Sequence, residues 1–201
     1  MKNLFIAFEG PDGSGKGTQI ELLKKYFKSK NIDVYFTSEP TSGPVGKFIK
    51  QALFGDFGLS IETLQTLFTA DRIEHQKEIN ENLKKSYVIT DRYYASTIAY
   101  IQTIDIDKQF LKEIIRLNFI QRRPDIWIYI RCTADESIAS IRERKGKPEI
   151  YDNKEKIESI LFNYDKFFKT QNNVIVVNRN GRTPEEINNE LILKLNKIIV
   201  Q

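Results

Sequence analysis

The first thirty residues constrain the fold more tightly than any other stretch. Residues 3 to 9 form a nearly continuous apolar run that reads as a strand buried on both faces. A glycine-rich turn follows at once, and a helical segment then extends from about Gly15 to Lys30. The turn, Gly10-Pro11-Asp12-Gly13-Ser14-Gly15-Lys16, fits the first seven positions of G-x-x-x-x-G-K-[ST]. Glycine lets the backbone bend so that successive N–H groups point inward at an anion. The N-terminus of the helix adds partial positive charge. Lys16 is long enough to reach the outer phosphates of a nucleotide held there. A glycine turn without function remains the plain alternative, but strand before and helix after argue for a phosphate loop. One position departs from the pattern. Gly17 stands where the motif has a hydroxyl that holds Mg²⁺, and Thr18 follows it. Magnesium is still expected, because nucleotide phosphates bring it, with Thr18 acting through water or from a shifted position.

The rest of the chain repeats the alternation. Strand-like runs recur at Asp33 to Thr37, Tyr87 to Thr90, Ile126 to Ile130 and Val174 to Val177, rich in Val, Ile and aromatics. Between them, Ile61, Leu64, Leu67, Phe68 and Ile73 fall at helical spacing, as do Phe110, Leu111, Ile114, Ile115 and Leu117. Asn180-Gly181 marks a turn, and Thr183-Pro184-Glu185-Glu186 signals a last helix with Thr183 as N-cap and Pro184 at its first position. Alternating strands and helices predict an α/β fold, a parallel sheet with helices on both faces. Ligands then bind beyond the carboxyl ends of the strands.

Composition narrows the function classes. A chain of 201 residues suits one domain. Cys132 is the only cysteine, which excludes an intrachain disulfide or a cysteine metal cluster and fits a reducing cytoplasm. His75 is the only histidine, which removes His-rich zinc sites; set in a helical stretch, it argues against a Ser-His-Asp hydrolase. No apolar run approaches the roughly 20 residues of a membrane span, and the opening segment is too short for a signal peptide. The net charge of +4 suits a polyanionic ligand, nucleotide or nucleic acid, without choosing between them and without excluding a plain solvated surface.

Several motifs together resemble one family. Gly10 to Gln19, GPDGSGKGTQ, is similar to the phosphate loop of thymidylate kinases, although its GKGTQ end is shared with adenylate kinases. Asp91-Arg92-Tyr93-Tyr94-Ala95-Ser96-Thr97-Ile98-Ala99-Tyr100 resembles the family's DRYxxSxxAY segment. Arg92 offers a forked donor suited to a monophosphate. The resemblance implies that Arg92 binds the acceptor phosphate, that Thr97 lies against the base, and that Tyr100 lines the deoxyribose pocket. Asp91 would be a second carboxylate near Mg²⁺. A capped helix start with a structural Asp-Arg pair is the alternative. Many relatives carry Gln directly after this tyrosine; here Ile101 stands there and Gln102 comes one place later.

Leu67-Phe68-Thr69-Ala70-Asp71-Arg72-Ile73-Glu74-His75 resembles the family's LFAADRxxH helix. Phe68 and Arg72, four apart, share a helix face; a ring can stack on a planar base and a guanidinium can donate to its carbonyl. Taken alone, Phe68 would belong to the core. Ser38-Glu39-Pro40 is similar to the family's REP sequence with its arginine lost, and Lys50 sits where many relatives carry an arginine. Asp12 matches an acidic position that faces the acceptor's 3′-hydroxyl.

Arg142-Glu143-Arg144-Lys145-Gly146-Lys147-Pro148-Glu149 is a basic stretch similar to the lid of these kinases, set in a segment of about 142–152. In the family an arginine sits either in the phosphate loop or in the lid; this loop has none between Gly10 and Lys16, so the resemblance implies that Arg142 and Arg144 supply the charge that stabilises the transferring phosphoryl. A solvated charge run is the alternative. The resemblance implies a single domain over residues 1–201. It also implies a three-layer P-loop NTPase fold with a five-stranded parallel sheet in the order 2-3-1-4-5. The activity would be transfer of the γ-phosphoryl of ATP to dTMP. Lys16, Arg92, Arg142 and Arg144 would be catalytic, and Gly10 through Thr18 would hold ATP. Asp12, Glu39, Pro40, Lys50, Phe68, Arg72, Arg92, Ser96, Thr97 and Tyr100 would hold dTMP. Mg²⁺ would be met by Thr18 and Asp91. The protein would be a cytoplasmic homodimer that engages neither nucleic acid nor membrane. Two other readings stay open: a kinase for dUMP, dGMP or a ribonucleotide, and a non-catalytic nucleotide-binding module.

Overall fold

The inner strands of the sheet are apolar on both of their faces, and the sheet is accordingly covered on both. The computed structural model describes residues 3–53, 57–103, 105–143 and 153–199. Its elements run β1 (Phe5–Glu9), α1 (Lys16–Ser29), β2 (Val34–Ser38), α2 (Pro44–Leu53), α3 (Ile61–Leu83), β3 (Tyr87–Asp91), α4 (Tyr94–Ile101), α5 (Lys108–Phe119), β4 (Ile126–Arg131), α6 (Ala134–Glu143), α7 (Lys154–Phe168), β5 (Val174–Asn178) and α8 (Pro184–Ile199). The strands pair in the order β2-β3-β1-β4-β5, all parallel. This is the order expected from the resemblance.

Side chains two apart on a strand share a face, and the core divides accordingly. Phe5 and Ala7 of β1 join Val88, Trp127 and Tyr129 under Ile79 of α3, α4 and the aromatic face of α7, with Tyr164, Phe167 and Phe168. Ile6 and Phe8 point the other way, with Ile89, Ile128 and Ile130, onto Ile20, Leu23 and Phe27 of α1 and Ile187, Leu191 and Leu195 of α8. A smaller cluster of Ile49, Ala52 and Leu64 joins α2 to α3. Thr183 caps α8 as its sequence predicts. Its Oγ1 accepts from Glu186 N at 3.3 Å while its own N–H donates to Glu186 Oε2 at 2.8 Å, a reciprocal capping box.

The structure departs from the sequence reading in detail. Strand β2 is an edge strand, half-buried along most of its length rather than buried on both faces. Ile73, placed on the apolar stripe of α3 by spacing, is 44% exposed; the inward face at that turn is taken by the polar side chains of Arg72 and His75. Most of the basic segment expected as a lid lies outside the described residues, Arg144 included; α6 is described to Glu143. No helix among the described residues is long and apolar enough to cross a membrane.

Leu191 has no exposed surface and Leu193, on the same helix, is 66% exposed. Urea unfolding should show a loss of about 2–5 kcal/mol for Leu191→Ala and less than about 0.5 kcal/mol for Leu193→Ala.

Candidate active site

The carboxyl ends of β1 and β3 lie side by side, with Phe8 in register with Asp91, so the loops leaving them meet above the sheet. The loop after β1 turns through Gly13 at φ 73°, a conformation that L side chains rarely adopt. A Cβ on Gly13 would also overlap the backbone of Ser137 at the start of α6. Ser137 Oγ donates to Asp12 O, so α6 is tied to the loop from both directions. Helix α1 begins at Lys16, and its free N–H groups open toward the loop. Lys16 is buried and folds back over that loop, donating to Gly10 O at 2.8 Å and Pro11 O at 2.9 Å. Burial, reinforced by the Arg92 charge, pushes its ammonium down to about 8, against the pull of Asp91, Asp12 and Glu9. Gly17 and Thr18 are exposed.

Arg92 stands between the loop and a second cavity. It is a non-glycine residue held at φ 69°, a strained backbone that aims its side chain across the end of the sheet. Nη1 donates to Ser96 Oγ at 2.9 Å and Gly10 O at 3.4 Å, and Nη2 donates to Asp12 Oδ1 and, at 3.3 Å, to Tyr100 OH. Tyr100 OH donates in turn to Asp12 Oδ2 at 2.8 Å. Burial alone would raise the Asp12 carboxyl, but the Arg92 and Lys16 charges and the Tyr100 hydroxyl hold it well below the usual range.

Beyond Arg92 lies a cavity of about 260 Å³. Its walls bring together all ten residues expected around the acceptor: Asp12, Glu39, Pro40, Lys50, Phe68, Arg72, Arg92, Ser96, Thr97 and Tyr100. Leu53 and Gln65 complete the lining. Phe68 is half-buried; it lines the cavity and also packs on the α2–α3 cluster, so its core and site roles coincide. Arg72 is 1% exposed. Its Nε and Nη2 both donate to Glu39 Oε2, and Nη1 donates to Thr97 Oγ1 and Asn118 Oδ1. One N–H of Nη2 remains for a ligand. His75 Nδ1 meets the other oxygen of Glu39 at 3.0 Å. Gln102 is exposed and lines a separate cleft with Glu155 and Glu158 of α7, so its amide is not part of this cavity.

A cation beside the phosphates would find an oxygen ready. Asp91 Oδ1 is buried without a hydrogen-bond partner among the described residues, and so is Ser14 Oγ. No group of three or more His, Cys, Asp or Glu among the described residues could hold a metal alone. That donor set fits Mg²⁺ held by phosphates with one carboxylate.

The fold brings to this site several residues that no sequence motif marks. Glu9 closes β1 and is fully buried. Its Oε1 accepts from Tyr93 N at 2.9 Å and Ser96 N at 3.2 Å, and its Oε2 from Ser96 Oγ at 2.6 Å and Tyr164 OH at 3.1 Å. Burial pushes its carboxyl up to about 7 in spite of those donors and the Arg92 charge. A carboxylate ending an apolar run was the available signal. Arg179, just past β5, donates to Gly13 O at 2.9 Å and Ser140 Oγ at 2.7 Å. Arg142, near the end of α6, is exposed.

Comparison with known proteins gives the family and the fold. The sequence model of the family described as thymidylate kinase matches residues 8–191. A protein of Methanococcus aeolicus named probable thymidylate kinase is 39% identical over 200 residues, 96% of each chain. Another of that name from Methanocaldococcus jannaschii is 36% identical over 198 residues, 98% of each chain. Among solved structures, the thymidylate kinase of Candida albicans superposes with a TM-score of 0.79 over 98% of this chain and 93% of that one, at 24% identity, and shares the fold.

Two outcomes test the loop. Gly13→Ala should weaken ATP binding at least about tenfold by calorimetry, since the loop must shift off Ser137 and strain a positive φ. ATP affinity should also fall as pH rises through about 8. The charged form of Lys16 is the one that pairs with phosphate, so binding above that pH must take up a proton. Equal affinities at pH 7 and 9 would show that the Lys16 ammonium stays charged throughout that range.

Proposed function

The chain belongs to the thymidylate kinase family, and from that premise we infer that its two adjoining sites hold the two substrates of one phosphoryl transfer. It transfers the γ-phosphoryl of ATP to dTMP and gives dTDP. ATP lies along Gly10 to Thr18, and dTMP fills the cavity between α2, α3 and α4. The observation that carries this division is the position of Arg92 and Asp12. Asp12 belongs to the phosphate loop and also lines the cavity, and Arg92 bonds to both.

Phosphoryl transfer asks little covalent chemistry of a protein; position and charge do most of it. Arg92 exchanges its Asp12 and Ser96 contacts for the acceptor phosphate, and its strained backbone keeps the guanidinium aimed there. Asp12, held anionic, turns to the sugar hydroxyl with Tyr100 beside it. Phe68 stacks on the base, Arg72 donates its remaining N–H to a base carbonyl, and Thr97, Glu39, Pro40 and Lys50 wall the cavity. Lys16 leaves its loop carbonyls for the β- and γ-phosphates. Arg142, with Arg144 beyond it, swings in from the end of α6 as a lid over residues 142–152 closes and excludes water. Asp91 would meet Mg²⁺ beside the phosphates, with Thr18 in the first turn of α1. When bound, that ion draws negative charge off the β- and γ-oxygens. The protein acts as a single domain, as a homodimer in the cytoplasm, away from membrane and nucleic acid.

ADP formation from ATP and Mg²⁺ should depend on dTMP and exceed that with dUMP, dGMP, CMP or AMP. Absence of dTMP-dependent turnover with ATP still bound would sink the assignment of the acceptor. Arg92→Ala should lower kcat/KM for dTMP, a loss of about 2–4 kcal/mol in transition-state stabilisation, and leave ATP affinity nearly unchanged. Phe68→Ala should raise the dTMP KM with little change in kcat, because stacking is common to ground and transition states.

A further inference from the structure

One buried polar group in the acceptor cavity stands outside the network around it. Gln65 lies on α3 with Phe68 three residues on and Arg72 seven on, so the three side chains share one helix face. All three line the cavity. Gln65 is 2% exposed, and its Oε1 is buried with no hydrogen-bond partner among the described residues. A buried acceptor left unpaired is costly, and few native groups are.

The neighbouring acceptors are already committed. Glu39 accepts from Arg72 through Oε2 and faces His75 Nδ1 with Oε1. Thr97 Oγ1 and Asn118 Oδ1 accept from Arg72 Nη1. Asp12 is engaged by Arg92 and Tyr100. That leaves Gln65 with an acceptor and Arg72 with one donor on the same wall, about two turns apart along α3.

We propose that Gln65 reads the N3–H of the acceptor base, its carboxamide oxygen accepting that proton while Arg72 donates to a flanking carbonyl. This rests on the reading of the cavity as the dTMP site. A 2,4-dioxopyrimidine presents acceptor, donor and acceptor along one edge, and a carboxamide beside a guanidinium matches a donor next to an acceptor. Cytosine has no proton on N3 and carries an amino group at position 4. A carboxamide can turn to suit either edge, but Arg72 cannot accept, so an amino group facing it meets donor against donor. The two residues thus divide the work. Arg72 requires a carbonyl, and Gln65 takes the imide proton between the carbonyls. Gln65 is a specificity-determining residue and has no part in the transfer itself.

Three measurements test this. Gln65→Met keeps the length of the side chain and removes its acceptor. It should raise the dTMP KM about tenfold or more with kcat little changed, and should raise the Tm of the ligand-free protein by a few degrees, because an unpaired buried polar group has gone. A merely structural glutamine would lower the Tm on the same change. The wild-type protein should discriminate against 3-methyl-dTMP, which lacks the N3 proton, and Gln65→Ala, which leaves room for the methyl group, should lose most of that discrimination. Should Gln65→Met fail to fold, the comparison of dTMP with 3-methyl-dTMP on the wild type and on Gln65→Ala still decides. An unchanged dTMP KM in Gln65→Met, or equal use of dTMP and 3-methyl-dTMP by the wild type, overturns the proposal while leaving dTMP kinase activity standing. A wild-type protein that turns over no dTMP overturns the underlying assignment instead.

Discussion

The carboxylate of Glu9, buried at the end of the central strand, fixes where the two halves of the site meet. It accepts from Tyr93 N, Ser96 N, Ser96 Oγ and Tyr164 OH, and so pins the start of α4 and the middle of α7 to the mouth of the phosphate loop. With Tyr93 and Ser96 fixed on either side of α4's first turn, the preceding Arg92 has little choice of direction. A buried anion of this kind is costly unless its lone pairs are filled; four donors and the nearby charges of Arg92 and Lys16 reduce that cost, and burial still outweighs them and keeps the carboxyl raised.

The acceptor cavity is held by a second buried network of the same logic. Glu39 stands between Arg72 and His75, His75 Nε2 reaches Thr37 Oγ1 on β2 at 2.8 Å, and Asn118 ties Arg72 to α5 and to Thr69. Asp71, beside Arg72 in sequence, faces the other way and holds Thr41 at the head of α2 through its backbone N–H and hydroxyl. Each wall of the cavity is thereby bound to a different element. Removing one partner from such a network strands a charge, whereas the intact network keeps the guanidinium in one orientation before any ligand arrives. Preorganisation of that sort lowers the ordering cost of binding.

On the other side of the loop, α6 transmits position. Ser137 and Arg179 clasp the loop at Asp12 and Gly13, and Arg179 also holds Ser140 one turn up the helix. The helix that leads toward the basic segment is therefore registered on the phosphate loop itself. Movement of the loop on binding phosphate would be felt along α6 directly.

The succession of strands and helices and the phosphate loop were legible in the sequence because each depends on near neighbours, whereas the Phe68–Arg72 and Asp91–Tyr100 segments were legible through their resemblance to a family. Periodicity, glycine conformation and helix capping are local physics. Glu9, Gln65, Asn118, Tyr164 and Arg179 were not legible as site residues, and their local patterns mark only a strand end, two buried helix faces, an aromatic stripe and a turn. Glu9 acquires its role from groups 84 to 155 positions away, and Arg179 from a loop 166 positions away. Likewise Ile73 followed the apolar spacing of α3 and still faces outward, because a polar network claimed the inward face. The sequence by itself determined the elements and the chemical kinds of the residues at the strand ends. Only the tertiary structure decided which polar groups are paired and which are left open to a ligand, because that depends on distances between segments far apart along the chain.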